Sequence, residues 1–160
     1  MSRKYKFHNP DGVYFITFAV QGWVDVFTRN EYKNILVDYL AYCQKNKGLE
    51  LFASCIMTNH VHLIARAEEG QTLSDILRDY KKFTSKAVLQ AINENQRESR
   101  KEWLLKKFET VKAIGFGGQI TNRLNFGAMP LLQKNYITYI KTQLKKVWFF
   151  MPKIMFIVAQ

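Results

Sequence analysis

Between Leu49 and Ala67 the chain reads LELFASCIMTNHVHLIARA, two β-prone stretches separated only by the dipeptide Thr58-Asn59. So short a connection joins antiparallel neighbours, because a parallel pair needs a crossover of a dozen residues or more. Residues 49–57 and 60–67 are therefore expected as paired strands. In the second strand successive side chains leave opposite faces, so His60 and His62 share one face while Val61 and Leu63 enter the other. One face of this sheet must then be covered by apolar partners and the other must carry two imidazoles.

The flanking segments supply the cover. Asn9-Pro10-Asp11-Gly12 signals a turn, and the VYFITFAV run of 13–20 has the β-branched and aromatic content of a strand. Thr28 or Asn30 can cap a helix running to about Lys47, with Ile35, Leu36, Tyr39, Leu40 and Cys43 at helical spacing and Gly48 where a left-handed terminator belongs. After the Glu68-Glu69-Gly70-Gln71 loop, Thr72 or Ser74 can cap a long helix reaching about Asn93, its apolar side formed by Ile76, Leu77, Tyr80, Phe83, Ala87 and Val88. A further amphipathic piece spans about 98–109. Strand, helix, strand, strand, helix is the opening of an α+β fold of ferredoxin-like (RRM-like) type, an antiparallel sheet with helices packed on one face.

Charge narrows the partners. Lys and Arg number 24 against 13 Asp and Glu, a net +11, which favours a polyanion, with nucleic acid ahead of an anionic membrane surface. All the acidic residues lie in 1–109; residues 110–160 carry seven basic side chains and no acidic one. The chain thus divides into a body, 1–109, and an atypical basic tail, 110–160. Cys43 and Cys55 form no CxxC pair and read as buried thiols, with nothing that calls for an oxidising compartment. The polar N-terminal stretch has no signal-peptide pattern, and Pro152 and Lys153 break the last apolar stretch short of a membrane span, so a cytoplasmic protein is expected.

Two imidazoles on adjacent same-face positions can share one divalent ion and leave coordination sites open for phosphate oxygens. HxH alone also suits the polar outer face of an edge strand, or two histidines satisfied by neighbours. His8 reads as a solvated side chain. On the second helix Arg78, Lys82 and Lys86 stand four apart with Lys81 beside them, and Arg3, Lys4 and Lys6 form a second basic group. Each is either a phosphate contact or a solvated surface. Trp23 and Tyr5 could stack on unpaired bases or pack against the protein.

The strand, tight turn and HVHL of LFASCIMTNHVHLIARA resemble the HUH nucleases, and among them the single-tyrosine HUH transposases of the REP-associated (RAYT) group. Thr58 stands where that group commonly has Pro. The likeness extends over RKYKFHNPDGVYFITFAV, WVDVFTRNEY, and DYKKFTSKAVLQAI through RKEWLLKKFE, roughly residues 3–109. It implies that 1–109 is an HUH transposase palm acting on single-stranded or hairpin DNA, as a monomer or a homodimer. It implies also that His60 and His62 hold Mg²⁺ or Mn²⁺, and that a tyrosine attacks to form a 5′-phosphotyrosine link. Such a link conserves the bond energy for rejoining without ATP.

In the resembling group the nucleophile lies on a later helix, in a pattern like Tyr-Ile-His-x-Asn-Pro-Val, with Asn or Gln four positions on completing the metal site. Tyr139 has Gln143 at that distance, one helical turn away on a helix expected at about 132–148, whereas Tyr136 has Ile140. Tyr139 is accordingly the candidate nucleophile and Gln143 the third metal ligand, the alternative being an ordinary helix tyrosine. Tyr80 belongs to a core stripe. Two other readings stay open, a relative that binds nucleic acid without cleaving it, and a metal-dependent phosphodiesterase that uses water.

The tail lacks the Phe-Trp, Ile-Glu-Leu-Trp and Asn-Pro-Val segments that the resemblance implies. A reading frame displaced from somewhere in 108–118 onward accounts for this. Phe116-Gly117-Gly118-Gln119-Ile120-Thr121 can be encoded by TTTGGCGGGCAGATAAC, one of many synonymous choices, and one T added at the front would let this read Phe-Trp-Arg-Ala-Asp-Asn. Codons for residues 139–148 can likewise read Tyr-Ile-His-Lys-Asn-Pro-Val-Glu-Glu-Gly in a neighbouring frame. Sequencing the gene checks this expectation: a neighbouring frame should restore both strings, and a gene in which none does so overturns it.

Overall fold

Along Tyr14–Val20 (β1) buried and half-buried residues alternate without interruption, as they must in a strand with one face on a core. In the computed structural model, which describes residues 12–109 and the backbone of Phe116–Gly117 and Phe156–Val158, this strand pairs antiparallel with His60–Ala67 (β3). On its other side β3 pairs antiparallel with Leu49–Ile56 (β2). β1 and β2 therefore run parallel with β3 between them, so the connection from β1 to β2 must cross over, and the helix Asn30–Asn46 (α1) makes that crossing. Phe116–Gly117 (β4) adds to the free edge of β1 and Phe156–Val158 (β5) to that of β2, giving the order β4-β1-β3-β2-β5. The β4-β1-β3-β2 portion is the expected ferredoxin-like arrangement. Within β4, expected as loop, Gly117 pairs with Ala19 and Phe116 with Val20.

The helices Leu73–Glu94 (α2) and Lys101–Glu109 (α3) join α1 over one face. Tyr32, Leu36, Leu40 and Cys43 of α1 are buried with Leu77, Tyr80, Val88 and Ile92 of α2 and with Leu104 and Phe108 of α3. They pack on Ile16, Phe18, Val61 and Leu63 of the sheet. Each such aliphatic side chain removed from water contributes about 1.5–3 kcal/mol. The apolar side of α2 differs from its expected composition. Phe83 is 50% exposed and stacks on Tyr39 at 4.1 Å, while Thr84 and Ser85 are buried. Their hydroxyls donate back to the carbonyls of Tyr80 and Lys82, at 2.7 and 3.0 Å, which makes them acceptable inside. Tyr80 is the expected core residue, its hydroxyl donating to the Leu36 carbonyl at 3.3 Å.

Of the expected caps, Thr72 serves, accepting from the Asp75 amide at 3.3 Å. Neither Thr28 nor Asn30 caps α1; Arg29 occupies that position without a side-chain cap, and Thr28 instead accepts from Arg100 at 3.0 Å. Gly48 has φ +66°, the left-handed terminator its position suggested, and an added Cβ there would meet Gln71 at 3.0 Å. Among the described residues no helix is long and apolar enough to cross a membrane.

Before α3 sits a carboxylate that ties the helices together. Glu98 has a side chain 1% exposed, and it accepts from Arg29 at 3.0 Å, Arg100 at 3.2 Å and the Tyr32 hydroxyl at 3.2 Å. Burial alone would raise its pKa, but hydrogen bonds from Arg100 and Arg29 outweigh it and hold the carboxyl below its usual range. Because the folded value lies below the unfolded one, this stabilisation is complete above the ordinary carboxylate pKa and is lost as pH falls through the folded value. Glu98→Gln is expected to cost about 2 kcal/mol in urea unfolding near neutral pH, less than for a fully buried pair because both guanidinium groups remain partly in water. The variant should also show a shallower loss of stability on acidification, and an unchanged acid profile would refute this role.

Candidate functional site

Because Val61 and Leu63 are drawn into the helix-covered core, His60 and His62 are displayed on the opposite face of β3, both half-buried. Their ring centroids lie 4.7 Å apart with the planes at 82°. β3 is the central strand of the sheet, so the edge-strand alternative for this motif does not hold. In register with His62 stand Thr17 on β1 and Cys55 on β2, and Ala19 stands opposite His60. Below them on this face a small apolar cluster, Val13, Ala53 and Ile64 with Phe15 and Phe52, continues the surface, and Phe15 stacks on His62 at 5.4 Å.

The turn before β3 settles how His60 is protonated. The Asn59 amide nitrogen donates to the Trp23 carbonyl at 3.3 Å, and its Oδ1 lies 2.6 Å from His60 Nδ1. A carbonyl oxygen can only accept, so the nitrogen of the amide faces Trp23 and the oxygen faces the ring. His60 Nδ1 must then carry the proton, which leaves Nε2 with a free lone pair. His62 Nδ1 is 2.8 Å from the Thr17 hydroxyl, a group that satisfies either tautomer and leaves His62 Nε2 unengaged by it. Burial lowers the pKa of both rings. For His62 the neighbouring His60 adds to the effect and brings it to about 4, while Asp25 partly opposes the shift at His60. Both imidazoles are thus neutral at physiological pH, the state in which they donate lone pairs to a cation.

Two neutral imidazoles with their Nδ1 atoms engaged fit a divalent ion as a partial ligand set. Among the described residues no group of three or more His, Cys, Asp or Glu side chains completes it. Cys55, although in register with His62, is no substitute. Its thiol donates to Met57 Sδ at 3.4 Å, and burial pushes its pKa up to about 11, so no thiolate is available. Tyr139 and Gln143, and with them the helix expected at about 132–148, lie outside the described residues, as do His8, Arg3, Lys4, Lys6 and Tyr5.

The basic residues of α2 do not form one surface. Lys82 and Lys86 are exposed, but Lys81 is half-buried, with its pKa lowered by that burial. Arg78 is ion-paired with Asp75 and Asp79. Since α2 covers the Val61–Leu63 face, these side chains lie across the sheet from the histidine pair.

Trp23 was only weakly marked in the sequence. It follows Gly22 (φ +72°) in a short 3-10 turn, has φ +56° itself, and is 65% exposed with its ring 5.8 Å from His60. A left-handed conformation costs a bulky L-residue roughly 1–2 kcal/mol. Asn59 and Thr17, which engage the two imidazoles, read in the sequence as turn and strand residues. The one available hint for Asn59 was its place directly before HxH.

A family model described as "Transposase IS200 like" matches residues 12–111. No curated protein matches the chain. Among solved structures, one of a REP-associated tyrosine transposase bound to a REP hairpin is 22% identical over 54% of this chain and 53% of that chain, with a TM-score of 0.47. The chain therefore spans about half the length of that structure. A putative transposase from Deinococcus radiodurans is 18% identical, over 91% of this chain and 95% of that chain, with a TM-score of 0.41. It is the family match, over most of the described residues, that classes the chain.

Burial also raises Cys43 to about 11, so both thiols should resist a disulfide reagent at pH 8 in the native protein and react fully in denaturant. Rapid native labelling of Cys55 would mean that the sheet beside His62 is open.

Proposed function

Since the chain belongs to the IS200-like transposase family, we propose that it cleaves and rejoins single-stranded or hairpin DNA through a covalent tyrosine intermediate. The observation that carries this reading is the neutral histidine pair on the central strand, with the Nδ1 of each ring engaged and the lone pair of His60 left on Nε2. His60 and His62 would hold Mg²⁺ or Mn²⁺, with Gln143 as the third ligand. Bound there, such an ion polarises a phosphodiester and offsets the charge that develops in displacement. Asn59 and Thr17 keep the imidazoles oriented. Tyr139 supplies the nucleophile: its phenolic oxygen forms a bond to phosphorus, the bond from phosphorus to the 3′ oxygen breaks, and that oxygen leaves with a proton as a 3′-OH. Rejoining reverses the same exchange, with the 3′-OH attacking and the phenol leaving. Basic side chains such as Lys82 and Lys86, and Arg3, Lys4 and Lys6, add phosphate affinity without sequence choice.

One feature favours a second reading, a relative that binds DNA without cutting it. The acid-free tail lacks the segments expected around the nucleophile, and a displaced frame would make the Tyr139–Gln143 spacing fortuitous.

Incubation with hairpin oligonucleotides and Mn²⁺, followed by denaturing electrophoresis, separates these readings. A denaturant-resistant protein–DNA adduct is expected, absent in Tyr139→Phe and reduced about 100-fold or more in His60→Ala and His62→Ala. Cleavage without an adduct would point to water as the nucleophile. Binding without cleavage would establish the second reading.

A further inference from the structure

Trp23 is the only non-glycine residue with a positive φ among the described residues, and its indole is two-thirds exposed. A bulky side chain held in a disfavoured backbone state would ordinarily be compensated by packing, and here little of the ring is packed. The loop that carries it is nevertheless tightly fastened. The amides of Val20 and Phe27 donate to the carbonyls of Asn59 and Thr58, at 2.8 and 2.7 Å, and Asn59 bonds the Trp23 carbonyl itself. Arg100 bonds the Asp25 carbonyl at 2.8 Å. Strain that is fastened in place beside a site, with little compensating packing among the described residues, points to a partner that makes use of it.

The surroundings define that partner. The indole meets His60 edge-on, with the planes at 66°, so it borders the position of the candidate metal ligands. Lys107 of α3 reaches the same loop, its Cε 3.8 Å from where a Cβ on Gly22 would stand, which brings an ammonium group close by. An exposed π-surface beside His60, on a loop that an ammonium group also reaches, matches a nucleotide whose base has left its stack. A base still paired in a duplex presents no free face.

We infer that Trp23 is a stacking platform for an unpaired base next to the phosphate held at His60 and His62. This rests on the DNA reading above and adds to it the residue that receives an unpaired base. The platform is preorganised, since the Asn59 side chain that fixes the His60 tautomer also anchors the tryptophan backbone.

The test uses the full chain, Mn²⁺, and a fluorescent hairpin oligonucleotide with an unpaired tail, compared with the same hairpin carrying an abasic tail. Trp23→Gly removes the ring and suits the left-handed backbone, so its Tm should rise while its affinity for the tailed hairpin falls about ten-fold. The native protein should lose a similar factor on the abasic tail, whereas the variant should lose nothing more. Trp23→Phe should retain most of the affinity. If the native protein binds the tailed hairpin and Trp23→Gly binds it equally well, or if the abasic tail costs both proteins the same, the platform is overturned and the DNA reading stands. If the native protein binds neither hairpin, both fall together.

Discussion

Alternation along β3 governs the rest of the structure. A strand repeats every two residues, so burying Val61 and Leu63 under the helices obliges His60 and His62 to face the other way, and a slip of one residue would exchange the two sets. The register of β3 is held from both sides, by Phe15 to Ala19 of β1 and by Ala53 to Ile56 of β2. The same hydrophobic burial that stabilises the fold therefore aims the imidazoles. An edge strand, free to fray along one side, could not hold two imidazoles as firmly as this central one.

A second layer of order comes from the turn between β2 and β3. Asn59 spends its nitrogen on one carbonyl and its oxygen on one imidazole, so a single amide sets a tautomer and fastens the neighbouring loop. Thr58 and Asn59 also offer their backbone carbonyls to that loop. The segment from Gln21 to Thr28 is thus clipped between the hairpin turn and Arg100, although it contains little regular structure. Glu98 plays a comparable part on the helical side, where one buried carboxylate links Arg29 and Tyr32 to Arg100 at the approach to α3.

The distribution of charge relative to the sheet bears on how a polyanion would lie. The exposed lysines of α2 and the histidine pair occupy opposite faces, so a single straight strand cannot meet both. Among the described residues, the Gln21–Thr28 loop borders the histidines through Trp23, and Lys107 of α3 reaches that loop at Gly22. Arg78, the first member of the apparent basic stripe, has carboxylates of its own.

Local pattern was enough to establish the hairpin, the three long strands, the helical crossover and the two-faced character of β3, because periods of two and of 3.6 residues are written directly in the order of apolar side chains. The likeness carried by HVHL and its flanks also pointed to the family that the model over residues 12–111 matches. What the chain alone could not convey depends on contacts between residues far apart in sequence. Phe83 lies outside the core because Tyr39 of α1, distant in sequence, stacks on it there, and the burial of Thr84 and Ser85 is then made acceptable by local bonds from their hydroxyls to carbonyls of the same helix. The pairing of Thr17 with His62, and the left-handed Trp23 beside His60, are products of strand order and of a loop fastened to a turn more than thirty residues away. Periodicity assigns a side chain to a face; only the assembled sheet decides which neighbours it finds there.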